Sequence, residues 1–328
     1  MKQQIVIIFL LITTCFFLSK KVVAQADAQF SHSPYLSSVF NPSLAGSYNG
    51  LAAGGSFRSQ WTLFKGQPFS QALYVHLPNN KLKGGLGLSI INDFAAVHRS
   101  TNVQLQYAFK KRINAGYFNA GIQAGLIQYS LYGDKLRASE GDYDNGNINH
   151  NDASLPTSTI NAIKPDIGIG TSLLKENYSV SLSLNHLLPM PLKFSTATGS
   201  GIVQYSPTLY FQTQYQKEIN SNLKFTPSVF IKSDFKKTTT DIMAIAIYKK
   251  NMSIGLGFRG FSKTTADGVI FLFAYQIKPE LLMVYSYDAS ISQIRKTSIG
   301  SNEIGLHYRF IAPPPPPRGK IIYSPRFL

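Results

Sequence analysis

A chain of 328 residues with only 15% charged residues, but with 25 Gly, 18 Tyr and 22 Phe, is too poor in charge for an ordinary water-exposed surface. Its formal net charge of +16 would suit nucleic acid, yet no basic helix or arginine cluster accompanies it, so no nucleic-acid partner is expected. Length alone fits two soluble domains or one large barrel, and periodicity has to decide.

The first element is an export signal over residues 1–26. Lys2 leads into an apolar run over 5–18, and Ala24-Gln25-Ala26 supplies a cleavage site before Asp27, with cleavage after Ala24 as a competitor. Lys20 and Lys21 are atypical there. The run is short for a spanning helix. Cys15, the single cysteine, lies inside it, and its neighbours Thr14 and Phe16 fit a lipid-attachment site poorly. The mature chain therefore has no disulfide to rely on.

Residues 27–48 carry turn signals at Asn41-Pro42 and Ala45-Gly46, together with Phe30, Tyr35 and Phe40, but no sustained alternation. Two readings are open: a plug folded into the lumen of a barrel too wide for its own side chains to fill, or a flexible periplasmic leader.

From residue 49 to 310 the pattern changes to a side-chain period of two. Val103, Leu105, Tyr107 and Phe109 share one face while Asn102, Gln104, Gln106 and Ala108 share the other. Phe118, Ala120, Ile122, Ala124 and Leu126 oppose Asn119, Gly121, Gln123 and Gly125 in the same way. Met252, Ile254, Leu256 and Phe258 oppose Ser253, Gly255, Gly257 and Arg259, which places the arginine on the lumen side. Strands are predicted near 50–61, 69–77, 84–92, 101–110, 116–130, 165–173, 178–186, 203–216, 223–232, 239–248, 251–259, 268–276, 281–287 and 302–310. About fourteen such segments give an all-β fold, a transmembrane antiparallel β-barrel of the outer membrane, greasy outside and wet within.

The connections sort by length. Even-numbered ones, at 78–83, 111–115, 175–177, 217–222, 249–250 and 277–280, are short, whereas odd-numbered ones include 131–164, 187–202 and 288–301. Short periplasmic turns alternating with longer external loops are the habit of outer-membrane barrels, and an even strand count leaves both chain ends on the periplasmic side. A soluble β-sandwich would not sort its loops in this way. In the closing strand Gly305, Tyr308 and Phe310 form a candidate assembly signal, to be read by an assembly factor while its edge is unpaired. Pro313 to Pro317 cannot join a ladder, so 311–328 is read as a Pro-rich periplasmic tail, either disordered or a docking peptide. Lys81, Lys83, Lys110, Lys111, Arg112, Lys249 and Lys250 on the short turns form a candidate partner-binding ring for an acidic periplasmic protein, or else ordinary solvated turns.

Chemistry is scarce. His32, His76, His98, His150, His186 and His307 show no metal-ligand spacing, and no Gly-rich loop precedes a helix, so no enzyme activity, metal or cofactor is expected. Asp142-Tyr143-Asp144-Asn145-Gly146-Asn147 begins like a calcium loop, but Ala153 stands where the bidentate glutamate belongs.

At these same residues the chain resembles the PorP/SprF family of Bacteroidetes outer-membrane proteins. The head matches at Asp27-Ala28-Gln29-Phe30-Ser31 and Asn41-Pro42-Ser43-Leu44-Ala45-Gly46. Further matches are Arg58-Ser59-Gln60-Trp61, Gly66-Gln67-Pro68, Gly85-Leu86-Gly87-Leu88-Ser89 with Asn92-Asp93, and Pro165-Asp166-Ile167-Gly168. The end matches at Tyr285-Ser286-Tyr287-Asp288, Gly300-Ser301-Asn302-Glu303-Ile304 and Tyr308-Arg309-Phe310. Ala28 replaces the usual Pro, and the Pro-rich tail departs from the pattern. The resemblance implies a component of type IX secretion and gliding machinery, with outer-membrane lipid, periplasmic machine components and secreted cargo as partners. A passive porin or small-solute transporter is the alternative, and a purely structural surface anchor a further one.

Overall fold

The computed structural model describes residues 27–310 apart from 115, 153–154, 189–191, 196–199, 204–205 and 261–266; the export signal over 1–26, the tail over 311–328 and Ala153 fall outside the described residues. Its strands are β1 (Ala52–Ser59), β2 (Phe69–Asn79), β3 (Gly84–Ala95), β4 (His98–Ile113), β5 (Gly116–Tyr132), β6 (Thr159–Leu174) and β7 (Tyr178–Asn185). There follow β8 (Leu192–Ser195), β9 (Ser200–Val203), β10 (Thr208–Tyr215), β11 (Lys217–Asn220), β12 (Leu223–Ser233) and β13 (Thr238–Tyr248). The last are β14 (Met252–Arg259), β15 (Gly268–Lys278), β16 (Leu281–Ser290) and β17 (Ser301–Arg309).

Every wall strand pairs antiparallel with its neighbours in sequence, β1 closes on β17, and β10 pairs across the seam with β12. β11 continues β10 after Gln216 and pairs with the same β12, while β8 and β9 form a separate hairpin. The result is a closed antiparallel barrel of 14 strands. β4 sets the register: Leu105 lies between Leu88 and Ala124, and Gln104 between Ser89 and Gly125. One step along the strand moves a side chain from wall exterior to lumen, so Leu105 keeps 67% of its surface and Gln104 only 3%.

The exterior is a continuous apolar band, with Ile122, Leu126, Ile169, Ile254, Leu256, Phe271 and Leu306 all exposed. Such a surface is stable only against lipid. Tyr117, Phe118, Tyr215, Tyr248, Tyr275 and Tyr308 are exposed near the even-numbered turns, as in the aromatic girdle of an interfacial zone. Leu256→Arg, in mid-strand, is expected to cost about 2–4 kcal/mol, and Tyr248→Arg at the girdle about 0–1 kcal/mol. Denaturant unfolding from liposomes would register the two, and equal costs would contradict a lipid-facing wall.

Several strand boundaries differ from the sequence reading: β4 covers His98–Ile113 rather than 101–110, and β10 begins at Thr208 rather than 203. β6 starts at Thr159 rather than 165, because Lys164 and Asp166 pair with Ile127 and Gly125 on either side of Pro165, whose ring points outward. The long connection therefore shortens to 133–158. Two odd-numbered connections, 96–97 and 234–237, are as short as the even ones, and at Ala96 a positive φ of 53° makes the reversal.

Candidate functional site

The residues before β1 run through the lumen. Since β1 begins at the end of the barrel that carries the even-numbered turns, a preceding apolar segment can be buried only by climbing inside. Phe30, Leu36, Val39 and Phe40 are buried and pack with Ala52, Ala72, Tyr74, Tyr210 and Phe230 from the wall, and Leu44 is buried as well. Asp27, the first described residue, consequently lies near the odd-numbered connections, at the end opposite Arg309. The expectation of both ends on one side is corrected for the described chain.

The upper part of the segment is tied to the wall by charge. Ser31 Oγ donates to Asp288 at 2.7 Å and accepts from Arg58 Nη1 at 2.8 Å and Arg259 Nη2 at 2.9 Å. Its backbone N–H donates to Glu303 Oε2 at 2.6 Å. Arg259 also pairs with Asp241, and Arg58 and Arg259 both reach Asp288 at 2.7 Å. All five charged side chains are buried, so they stand or fall as one network. Beside them His32 Nδ1 lies 2.9 Å from Ser56 Oγ and 3.2 Å from Glu303. Burial pushes His32 below its ordinary 6.5 against the pull of Glu303, with Arg58 adding to the effect, so this contact is a hydrogen bond of a neutral ring.

Asp27 is held by three groups: His186 Nε2 at 3.1 Å, the Tyr210 hydroxyl, which donates to its carboxylate, and Lys232, which donates to its carbonyl at 2.8 Å. Asp166 in turn takes the other nitrogen of His186 at 3.0 Å. Burial opposes charge on both His186 and Asp27. The mutual attraction and hydrogen bonds outweigh it, raising His186 to about 10 and lowering Asp27 to about 2. A raised histidine contributes fully below its ordinary 6.5 and loses that contribution as pH rises through about 10. A lowered carboxylate contributes fully above 3.8 and loses it as pH falls through about 2. A fluorophore on Gln29→Cys should therefore show flat, high anisotropy from pH 3.8 to 6.5 and a decline toward pH 10. His186→Gln should abolish the alkaline decline, and its persistence would show that another group governs the anchor.

Lower down, Asn41 Oδ1 caps the turn Pro42–Leu44 by accepting from Ser43 N at 2.9 Å, and its Nδ2 donates to Thr171 O. The wall gives way at that point, since a Cβ on Gly121 would collide with the Ser43 backbone and one on Gly85 with the Ala45 carbonyl. Gln106 donates to Ser38 O, and Ser183 and Asn185 donate to Phe40 O. Cavities remain around the segment among the described residues. One of about 30 Å³ lies beside Phe40 and Gln104, one of about 240 Å³ opens beside Trp61 and Asp93, and one of about 280 Å³ lies beside Tyr48 and His76.

The candidate basic residues do not form one ring. Lys81, Lys83, Lys110, Lys111 and Arg112 come together on adjacent turns, where Lys110 N donates to Lys83 O. Lys249 and Lys250 lie on the β13–β14 turn, several strands away. Lys81, Lys83, Lys111, Arg112, Lys249 and Lys250 are exposed, and Lys110 lies over the Tyr117 ring. Tyr308 and Phe310 are exposed, but Gly305 faces the lumen, where a Cβ would come within 3.0 Å of His32 Nδ1. It therefore belongs with the buried segment's packing and not with the outer row. The Asp142 loop closes on itself through backbone bonds to Asn149, and no metal cluster occurs among the described residues. Asp166, His186 and Asp241 carry the anchors without having stood out in the sequence; the available signal was charge at lumen-facing strand positions.

The model of one protein family, described as type IX secretion system membrane protein PorP/SprF, matches residues 22–308. No curated protein matches the chain. Among solved structures, the Ralstonia pickettii toluene transporter TbuX is similar at TM-score 0.49 and 10% identity, covering 82% of this chain and 92% of its own. The CymD monoaromatic hydrocarbon channel follows at 0.48 and 9%, covering 88% and 95%, and Acinetobacter baumannii Omp33 at 0.46 and 10%, covering 81% and 100%. At such scores nothing of their activities passes to this chain.

Proposed function

The chain belongs to the PorP/SprF family of type IX secretion system membrane proteins, and from that premise we propose that it works in the outer membrane as a plugged, non-catalytic barrel that binds exported proteins. The occupied lumen carries this reading. A barrel has no energy source, and the cavity beside Phe40, about 30 Å³, has room for little more than a water molecule. What it can offer is surface. The described parts of the long connections 133–158 and 186–207 leave the barrel at the same end and would hold cargo or anchor it. The short turns at the other end bring Lys81, Lys83, Lys110, Lys111 and Arg112 together, where an acidic periplasmic component of the machine would be attracted.

The test is mild crosslinking and affinity purification from outer membranes. The expected result is co-purification of periplasmic machine subunits together with a surface-exposed exported protein, and loss of the periplasmic partners on charge reversal of Lys110, Lys111 and Arg112. A barrel recovered alone that also conducts steadily in planar bilayers would replace this reading with the passive porin.

A further inference from the structure

On the outside of the wall the apolar band ends abruptly along one edge. Across β2 to β6 one outward rung reads Leu73, Ile90, Val103, Leu126 and Pro165. A rung nearer the long connections it reads Gln71, Asn92, Thr101, Gln128 and Ile163, and the next reads Phe69, Phe94, Arg99, Ser130 and Asn161. Gln71, Arg99, Gln128 and Asn161 are exposed, and neither of these two rungs carries a carboxylate. From Phe109, at the short-turn girdle, to Arg99 is ten residues of β4, which at about 3.4 Å per residue and a tilt of about 40° is about 26 Å of height. The apolar band of such barrels is about 25 Å tall, so Arg99 stands where hydrocarbon gives way to headgroups, at the end that faces outward in barrels of this kind.

The polar rungs hold a cation in place without neutralising it. Arg99 Nε donates to Asn92 Oδ1 at 2.8 Å, the Thr101 hydroxyl donates to the same oxygen at 3.0 Å, and Asn92 Nδ2 donates to Gln71 Oε1 at 3.3 Å. With Nε engaged by an uncharged amide, the terminal nitrogens of the guanidinium present the planar fork that suits a phosphate. Lys135, exposed on the turn after β5, sets its Nζ 4.5 Å from the centroid of the Tyr132 ring and 5.5 Å from that of Phe94, and those two rings meet edge to face at 6.2 Å. Phe94 stands opposite Arg99 in the ladder, so both cations border one aromatic pair. Among the described residues neither cation has a carboxylate partner. Cations and aromatic rings directly above a hydrocarbon-facing surface complement an anion that is itself attached to hydrocarbon.

We propose that Arg99 and Lys135 bind a phosphate of lipid A, the phosphorylated glycolipid of the outer leaflet, with its acyl chains lying on the rung of Leu73, Val103 and Leu126 and those below it. The proposal rests on the lipid-facing wall and not on the role in secretion. Its test is native mass spectrometry of the full chain refolded in neutral detergent and titrated with lipid A carrying one phosphate or with the same lipid dephosphorylated. The phosphorylated form should be retained at least about tenfold more tightly. Arg99→Gln combined with Lys135→Gln should erase that difference. Arg295→Gln combined with Lys296→Gln, which removes two exposed cations from the β16–β17 connection at the same end, should leave it unchanged. Excess inorganic phosphate should not displace the lipid, because the acyl chains add to its hold. Equal retention of the two lipids by the unaltered chain would overturn the proposal without recourse to any variant. So would a difference that survives the Arg99 and Lys135 replacements, one that is lost with Arg295 and Lys296 as well, or displacement by inorganic phosphate, which would mark a site for free anions.

Discussion

Asp288→Ala should lower the unfolding free energy of the barrel by about 3–5 kcal/mol, the usual cost of removing one partner from a buried ion network. The size follows from what is left behind. Asp288 Oδ2 receives Arg58 Nη2 and Arg259 Nη1, both at 2.7 Å, and its carboxylate also accepts from Ser31 Oγ. Without it two guanidiniums face one another in a place water reaches poorly. Arg259 keeps Asp241, but the carboxylate left to Arg58 is Glu303, at the longer distance of 3.3 Å, beside the neutral Ser31 Oγ at 2.8 Å. Ser31→Ala removes hydrogen bonds but no charge, and should cost about 1–3 kcal/mol. Because the two residues share one node, their double mutant should depart from additivity by about 0.5–3 kcal/mol. Urea unfolding of the refolded barrel measures all three. Additive losses would mean that the lumen segment is not joined to the wall through this carboxylate.

The barrel was legible because a two-residue period repeats through most of the chain and each repetition constrains the next. In β14 the apolar Met252, Ile254, Leu256 and Phe258 all emerged outward, and Arg259 emerged inward with two carboxylates. The bounds of β6 escaped because a proline reads as a strand start, whereas the ladder with the long β5 carries Pro165 in mid-strand with its ring outside. The lumen contacts escaped for a different reason. Ser31 meets Asp288 across 257 positions and Asp27 meets His186 across 159, and no local pattern records such pairings. What the sequence did display was a set of charges at lumen-facing positions, Arg58, Asp166, Asp241, Arg259, Asp288 and Glu303. A reader holding the strand register could have known that these charges needed partners inside. The basic residues mislead in the opposite direction: turn positions are ordered by chain, but neighbours on the rim are ordered by strand adjacency, so Lys83 joins Lys110 and leaves Lys249 apart.

Deleting residues 27–46 should turn a silent barrel into a steadily conducting one, raising single-channel conductance in planar bilayers by at least about tenfold, since a wall of this many strands is too wide for its own side chains to fill. The wall should survive the deletion. Its ladders run strand to strand without the segment, and the lumen charges freed of Ser31 and Asp27 would be hydrated by entering water. Among the described residues the buried charges are Arg58, Lys164, Lys232 and Arg259 against Asp166, Asp241, Asp288 and Glu303, so the opened passage should discriminate only weakly between cations and anions. Gly121→Val gives the same test without truncation. Its branched side chain would occupy the space of the Ser43 backbone, displacing the turn Pro42–Leu44 at a typical overpacking cost of about 1–3 kcal/mol while leaving the pairing of Gly121 with Ala108 and Gly170 intact. It should yield brief openings where the deletion yields continuous ones. If the full chain already conducts and neither change alters the current by more than about twofold, the segment does not limit passage, and the lumen would have to be regarded as a solute path.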